Sequence, residues 1–135
     1  MPILKWDENY SAGVKILDDE HKQLIAMINK AYDSVTNMEE DIVLRELVKE
    51  MRAYAASHFA TEDNLMNTYG YPALAEHLEM HESFAVKAEA LNNLVSSGDK
   101  VDPVKVFKLL ADWLRDHIMK TDKELGKFLN EQGVK

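Results

Sequence analysis

Apolar side chains recur at helical spacing in four long stretches of this chain. In the first stretch, Leu24, Ile25, Ile28, Tyr32 and Val35 fall on one face of a helix. The 135 residues include only five glycines and three prolines, which leaves few places for turns. Scarce turns favour a few long helices over many short strands. We therefore predict an all-α protein, a single domain over residues 1–135 that forms an up-down-up-down four-helix bundle.

The boundaries of the helices follow from local start and stop signals. Asp18 and Asp19 are acidic residues suited to a helix N-terminus, and Pro72 and Pro103 each suit a first helical turn. Gly70 is suited to end a helix. The predicted elements are an irregular N-terminal arm over 1–17, helices over about 18–37, 40–69, 72–96 and 103–121, and a short C-terminal helix over 122–131.

Charge and composition argue against several classes of function. The formal net charge is -8 and there is no run of lysine or arginine, so we expect no binding to nucleic acid. The lack of cysteine excludes disulfides, thiolate metal sites and iron–sulfur clusters. No stretch approaches the ~20 apolar residues of a membrane span, and the first residues lack the pattern of an export signal. We therefore expect a cytoplasmic protein that does not insert into a membrane.

Polar residues interrupt the apolar helix faces at a few positions. His21, for example, precedes Leu24 and Ile25 by three and four residues, so it lies on the buried face of the first helix. The interrupting residues are all five histidines of the chain and two carboxylates: His21, His58, Glu62, His77, His81, His117 and Asp122. An unpaired buried carboxylate costs several kcal/mol, while a domain has only ~5–15 kcal/mol of stability. Metal cations are the simplest partners, and seven ligands suit two ions better than one.

His117 and Asp122 pose a geometric problem on the fourth helix. On an ideal helix, residues five apart lie about 140° from each other around the axis. A single metal ion could bind both only if the helix bent or widened there. Two metal ions, or one residue that bridges them, offer an easier solution.

The kind of metal follows in part from the ligands. Imidazoles and carboxylates together suit iron, zinc, copper or manganese better than calcium or magnesium. The H-E-x-x-H motif of many zinc hydrolases is absent. The residues alone therefore predict a buried dinuclear transition-metal site, with iron favoured and copper left open.

A family resemblance covers essentially the whole chain. The set His21, His58-x-x-x-Glu62, His77-x-x-x-His81 and His117-x-x-x-x-Asp122 resembles the ligand signature of the haemerythrins. Further stretches are similar to bacterial haemerythrins: Trp6-Asp7-Glu8, Gly13-Val14 and Leu17-Asp18 near the start, Tyr69-Gly70-Tyr71, and Trp113-Leu114 before His117-Ile118. The resemblance implies a four-helix bundle, which agrees with the fold predicted from the helical pattern.

The resemblance also implies a role for each residue of the set. It implies two iron ions, one held by His77, His81 and His117 and the other held by His21 and His58 with an open position. Glu62 and Asp122 would bridge the two ions, together with an oxo or hydroxo group. The implied function is reversible dioxygen binding for storage, transport or delivery, rather than catalysis.

Three apolar residues match positions that line the family's dioxygen pocket: Phe59, Trp113 and Leu114. Ordinary core packing is the alternative role for all three. One position departs from the family, because Leu125 stands where some invertebrate members have a tyrosine. This chain should therefore have one polar group fewer near the pocket.

Other functions stay open at this point. The chain could be a sensor module for O2, NO or redox state, an enzyme acting on peroxide or NO, an iron oxidase, or a dinuclear zinc or copper protein. Carboxylate-rich di-iron bundles use four Glu and two His, whereas this chain offers two carboxylates and five His. Fewer anionic ligands should stabilise high-valent iron less, which favours binding over catalysis. The sequence names no protein acceptor of O2.

Overall fold

The computed structural model describes residues 3–36 and 41–135, and this part of the chain contains helices and no β-strand. The helices are α1 (Lys15–Thr36), α2 (Asp41–Tyr69), α3 (Leu74–Ser96), α4 (Pro103–Trp113) and α5 (Asp122–Glu131). A π-helical segment, Leu114–Thr121, joins α4 to α5 without a break. The N-terminal arm contains one short 3-10 turn, Glu8–Tyr10.

Neighbouring helices in the chain pack side by side. α1 packs against α2 and α4, and α2 packs against α3, so α4 closes the bundle against α1. The predicted all-α four-helix bundle is confirmed. The predicted end of the first helix at 37 and start of the second at 40 lie outside the described residues. Among the residues described, no helix has the length and apolar character that a membrane crossing requires.

The first helix begins at Lys15, not at the predicted position 18. The Asp18 carboxylate accepts hydrogen bonds from the Ala12 backbone N–H at 2.8 Å and from the Ser11 hydroxyl at 2.5 Å. A side chain of the first turn that reaches back in this way acts like the second half of a capping box. Asp18 therefore marks the start of the helix but lies inside its first turn, and the predicted arm over 1–17 is too long.

The third helix begins at Leu74, two residues after the predicted start at 72. The Leu74 N–H donates to the Tyr71 carbonyl at 3.3 Å, which closes a turn with Pro72 at its second position. The fixed φ of proline suits that position, so Pro72 belongs to the turn and not to the helix. Pro103 differs, because it is the first residue of α4 and follows Asp102, whose carboxylate caps the helix.

Two apolar clusters fill the bundle, and a polar layer lies between them. The larger cluster extends along all four long helices and includes Leu24, Met51, Phe84 and Ile118. The smaller cluster joins the arm to α5 and to the end of α2. It consists of Ala12, Val14, Leu17, Met66, Leu125 and Leu129. The polar layer receives side chains from α1, α2 and α3, and from the π-helical segment and α5 that continue α4.

Candidate metal centre

All seven residues that the sequence analysis singled out lie together in the polar layer. Each is at most 4% exposed, and five of them are completely buried. They are His21 on α1, His58 and Glu62 on α2, His77 and His81 on α3, His117 in the π-helical segment, and Asp122 at the start of α5. Two overlapping groups of these residues bring their ligand atoms within 4.8 Å of one another. The assignment of the seven as metal ligands stays a prediction.

The π-helical segment solves the spacing problem of His117 and Asp122. The Asp122 backbone N–H donates to the His117 carbonyl, a bond that spans five residues instead of the four of an α-helix. This widening brings His117 Nε2 to 2.8 Å from Asp122 Oδ1. Helical spacing predicts that both side chains reach one ion only if the helix bends or widens, with two ions or a bridging residue as the easier solution. The structure has a wider helix at this point.

One oxygen of Glu62 lies at the meeting point of four imidazoles. Four histidine Nε2 atoms approach Glu62 Oε1 within 3.3 Å: His58 at 3.0 Å, His77 at 3.3 Å, His81 at 2.9 Å and His117 at 3.3 Å. A carboxylate oxygen has about two lone pairs and cannot accept four hydrogen bonds. Hydrogen bonding alone therefore does not account for this arrangement, whereas ligand atoms converging on cations would produce it.

The two oxygens of Asp122 face different histidines. Oδ2 lies 2.8 Å from His21 Nε2 and 3.2 Å from His58 Nε2. Oδ1 lies 2.8 Å from His117 Nε2 and 3.2 Å from His77 Nε2. The carboxylate thus divides the surrounding imidazoles into two groups, as a bridge between two cations would.

Buried polar atoms without partners test whether metal ions fit here. Within the described chain, Glu62 Oε2 and Asp122 Oδ1 accept no hydrogen bond of acceptable geometry, although both side chains are completely buried. Such atoms carry a large desolvation cost unless a cation or a donor meets them. Five imidazoles and two carboxylates are a suitable donor set for borderline transition metals. The residues therefore fit two such ions.

A carboxylate outside the set of seven orients one histidine. His58 Nδ1–H donates to Glu20 Oε1 at 2.9 Å, which leaves His58 Nε2 free to face the centre. The Thr61 hydroxyl donates to Glu20 Oε2 at 2.9 Å and holds the carboxylate in place. Sequence reasoning missed Glu20, because it continues an acidic run after Asp18 and Asp19 and no periodicity distinguishes it.

Phe59 and Trp113 each cover one histidine ring of the centre. Phe59 stacks on His81 with ring centroids 4.1 Å apart, and Trp113 stacks on His117 at 3.9 Å. Phe59 and Trp113 also meet edge to face at 5.5 Å. Both predicted pocket residues therefore contact the centre directly, at its boundary with the larger apolar cluster.

The third predicted pocket residue, Leu114, is buried in the larger cluster. Leu125, the departure from the family, is completely buried in the smaller cluster. It therefore adds an apolar group on the other side of the polar layer. Tyr54, which sequence analysis did not select, stacks on His58 with centroids 5.4 Å apart.

The carboxylates and histidines shift one another's pKa values. Burial acts to raise the pKa of Asp122, but the histidines around it, His117 foremost, hold that pKa well below its usual range. Burial acts to lower the pKa of His77, but Asp122 and Glu62 raise it to about 9. The pKa of His117 is also raised, because the same carboxylates outweigh burial. Protons on His77 and His117 would thus take the place of a cation in the metal-free protein.

These shifts predict how pH affects the protein after a chelator has removed its metal. A histidine whose pKa is raised on folding adds stability below its unfolded pKa, and that stability is lost as pH rises through the folded pKa. For His77 the window runs from about 6.5 to about 9. We expect the melting temperature of the stripped protein to fall across this window, as followed by circular dichroism. An unchanged or rising melting temperature would mean that a charged His77 does not stabilise the metal-free protein.

Comparisons with known proteins agree with this geometry. A family model described as "Hemerythrin HHE cation binding domain" matches residues 12–129. The chain is 32% identical over 123 residues to a bacteriohemerythrin of Pseudomonas aeruginosa (strain PAO1), covering 90% of this chain and 78% of that protein. It is 31% identical to Myohemerythrin-1 of Phascolopsis gouldii, covering 90% of this chain and 92% of that protein.

A solved structure also shares the fold. The match to a wild-type hemerythrin crystal structure has a TM-score of 0.83 at 26% identity, over 94% of this chain and 98% of that one. The family match extends over nearly all of α1 to α5, the elements that carry the seven clustered residues. The chain belongs to the haemerythrin family.

Proposed function

We propose that this chain binds dioxygen reversibly at a di-iron centre and serves to store, transport or deliver it. The main support for the proposal is that the two carboxylate oxygens of Asp122 face different histidines. His21 and His58 face Oδ2, while His77 and His117 face Oδ1. This division supports two separate ions with Asp122 as a bridge.

The five histidines would be divided unequally between the two ions. His77, His81 and His117 would hold one iron, His21 and His58 would hold the other, and Glu62 would be the second bridging carboxylate. The ion with two histidines would keep an open position for a ligand. When bound, the two iron ions supply the electrons that dioxygen takes up on binding and returns on release.

The surroundings of the centre favour binding over turnover. Phe59 and Trp113 cover the imidazoles with apolar faces, which excludes water from the centre. Glu20 is held by His58 and Thr61, so its carboxylate is already engaged. A dry pocket protects the bound ligand from protonation and loss.

The test is repeated oxygenation of the iron-loaded protein. The protein is reduced without air, exposed to O2 and then deoxygenated, while the visible spectrum is recorded over several cycles. A band that appears with O2 and disappears on its removal supports a carrier. Rapid, irreversible oxidation with release of peroxide would point to an enzyme, and a protein that takes up zinc in preference to iron would remove the proposal.

His21→Ala tests the end of the centre that has two histidines. Because His21 is completely buried and lies 2.8 Å from Asp122, its loss should weaken one iron site. We expect the variant to retain about one iron per chain or to bind O2 at least tenfold more weakly. Gln23→Ala, an exposed change on the same helix, is the matched control and should bind two irons. If His21→Ala keeps both irons and normal oxygenation, the assigned role of His21 is wrong.

A further inference from the structure

Among the described residues, two buried polar groups beside the centre lack a hydrogen bond of acceptable geometry and are not among the seven candidate ligands. They are the Tyr54 hydroxyl and the Trp113 indole N–H, neither of which makes a hydrogen bond of acceptable geometry within the described chain. Tyr54 is 5% exposed and Trp113 is 7% exposed. Buried polar groups in folded proteins are nearly always hydrogen-bonded, so these two groups need an explanation.

Both groups lie on the same side of the polar layer. Tyr54 stacks on His58, and Trp113 stacks on His117. Burial raises the pKa of the Tyr54 hydroxyl above its ordinary value, and the Trp113 N–H is close enough to act on it. The hydroxyl is therefore a neutral donor that lies near the indole, on a ring that stacks on His58.

Packing does not account for the hydroxyl. The Tyr54 ring alone would stack on His58 and fill its place in the larger apolar cluster, as a phenylalanine would. The oxygen adds a desolvation cost, and although the Trp113 N–H lies beside it, the hydroxyl proton has no acceptor among the described residues. A polar atom retained under these conditions suits a small ligand that accepts a hydrogen bond.

We propose that the Tyr54 hydroxyl, with the Trp113 N–H beside it, donates a hydrogen bond to the ligand held at the His21 and His58 end of the centre. The proposal rests on the proposed function, because it requires a ligand site at that end. The ligand class is a small molecule or anion with an exposed lone pair, such as dioxygen or azide. Tyr54 is thus a residue that determines ligand specificity and retention.

Tyr54→Phe removes the hydroxyl and keeps the ring on His58. The readouts are azide affinity of the oxidised, iron-loaded protein, measured by visible absorption, and the rate of O2 loss from the reduced protein. We expect azide to bind about tenfold more weakly and O2 to leave about tenfold faster, the size of one lost hydrogen bond. Iron content should stay at two per chain.

A second readout separates ligand contact from a structural role. Because the hydroxyl makes no hydrogen bond of acceptable geometry within the described chain, Tyr54→Phe should not lower the melting temperature of the chelator-stripped protein. Tyr32→Phe is the matched control, since the Tyr32 ring packs at a tilt against Phe107 and lies about 16 Å along α1 from His21. That control should leave azide affinity, O2 release and stability unchanged.

The outcomes distinguish this proposal from the proposed function. Azide affinity and O2 release equal to those of the wild type would overturn the role of Tyr54, as would a drop in the melting temperature of the stripped variant. A wild-type protein that loads iron and binds azide but fails to release O2 would contradict the proposed function, and the azide comparison would still decide the role of Tyr54. A loaded protein that binds neither azide nor O2 would overturn both.

Discussion

Asp122→Ala is expected to leave a protein that holds at most one iron per chain. The two oxygens of Asp122 face different histidines: Oδ2 lies nearest His21 and His58, and Oδ1 lies nearest His117 and His77. Loss of an outer partner of a metal ligand already lowers affinity by about 10–100-fold, so loss of a shared ligand should exceed about 100-fold. Elemental analysis after loading with iron and desalting measures the effect.

The control for this change is Asp116→Ala in the same π-helical segment. The Asp116 side chain is 60% exposed and pairs with Arg115 at the surface, so its removal should leave two irons per chain. If Asp122→Ala also retains two irons with wild-type affinity, Asp122 is not a bridge. If both variants lose iron, disruption of the widened helix becomes the better explanation.

Gly126→Ala is expected to destabilise the protein, although the same change in an unconstrained helix is stabilising. Gly126 lies in α5, and a Cβ there would come within 1.8 Å of the Ala12 carbonyl oxygen and 3.0 Å of the Ala12 Cβ. The clash involves backbone, so the arm or α5 must move. We expect the free energy of unfolding to fall by about 1–3 kcal/mol or more, against a gain of about 0.5–1 kcal/mol from helix propensity.

Urea denaturation of the metal-loaded protein measures this loss. Lys127→Ala, an exposed change on the same helix, should alter the free energy of unfolding by less than about 0.5 kcal/mol. An increase in stability for Gly126→Ala would mean that the close approach of the arm to α5 is not maintained in solution. That result would also question the smaller apolar cluster, which joins the same two elements.

The helical spacing of apolar residues predicted the bundle. It also placed the seven polar residues on helix faces that meet in one layer. Both results depend on side-chain direction along a helix, which sequence spacing determines. The start of the first helix was predicted wrongly because Asp18 acts from inside the first turn. The start of the third was wrong because Pro72 serves a turn as well as it would serve a helix. Such local signals allow an error of two or three residues.

Features that depend on contacts between helices could not be predicted from spacing. Glu20 contacts His58 on a neighbouring helix, and nothing in its own surroundings in the sequence indicates that contact. Gly126 is explained only by the approach of the arm at Ala12. Tyr54 lies on an apolar helix face, as expected. The sequence does not reveal that its hydroxyl lacks a hydrogen bond of acceptable geometry within the described chain or that Trp113 lies beside it.

The central claim is that seven buried side chains hold two metal ions. Its most direct test is an anaerobic titration of the chelator-stripped protein with Fe²⁺, with bound iron measured after each addition. We expect uptake of two equivalents per chain in the wild type and a loss of at least one in Asp122→Ala. Saturation of the wild type at one equivalent or none would contradict it.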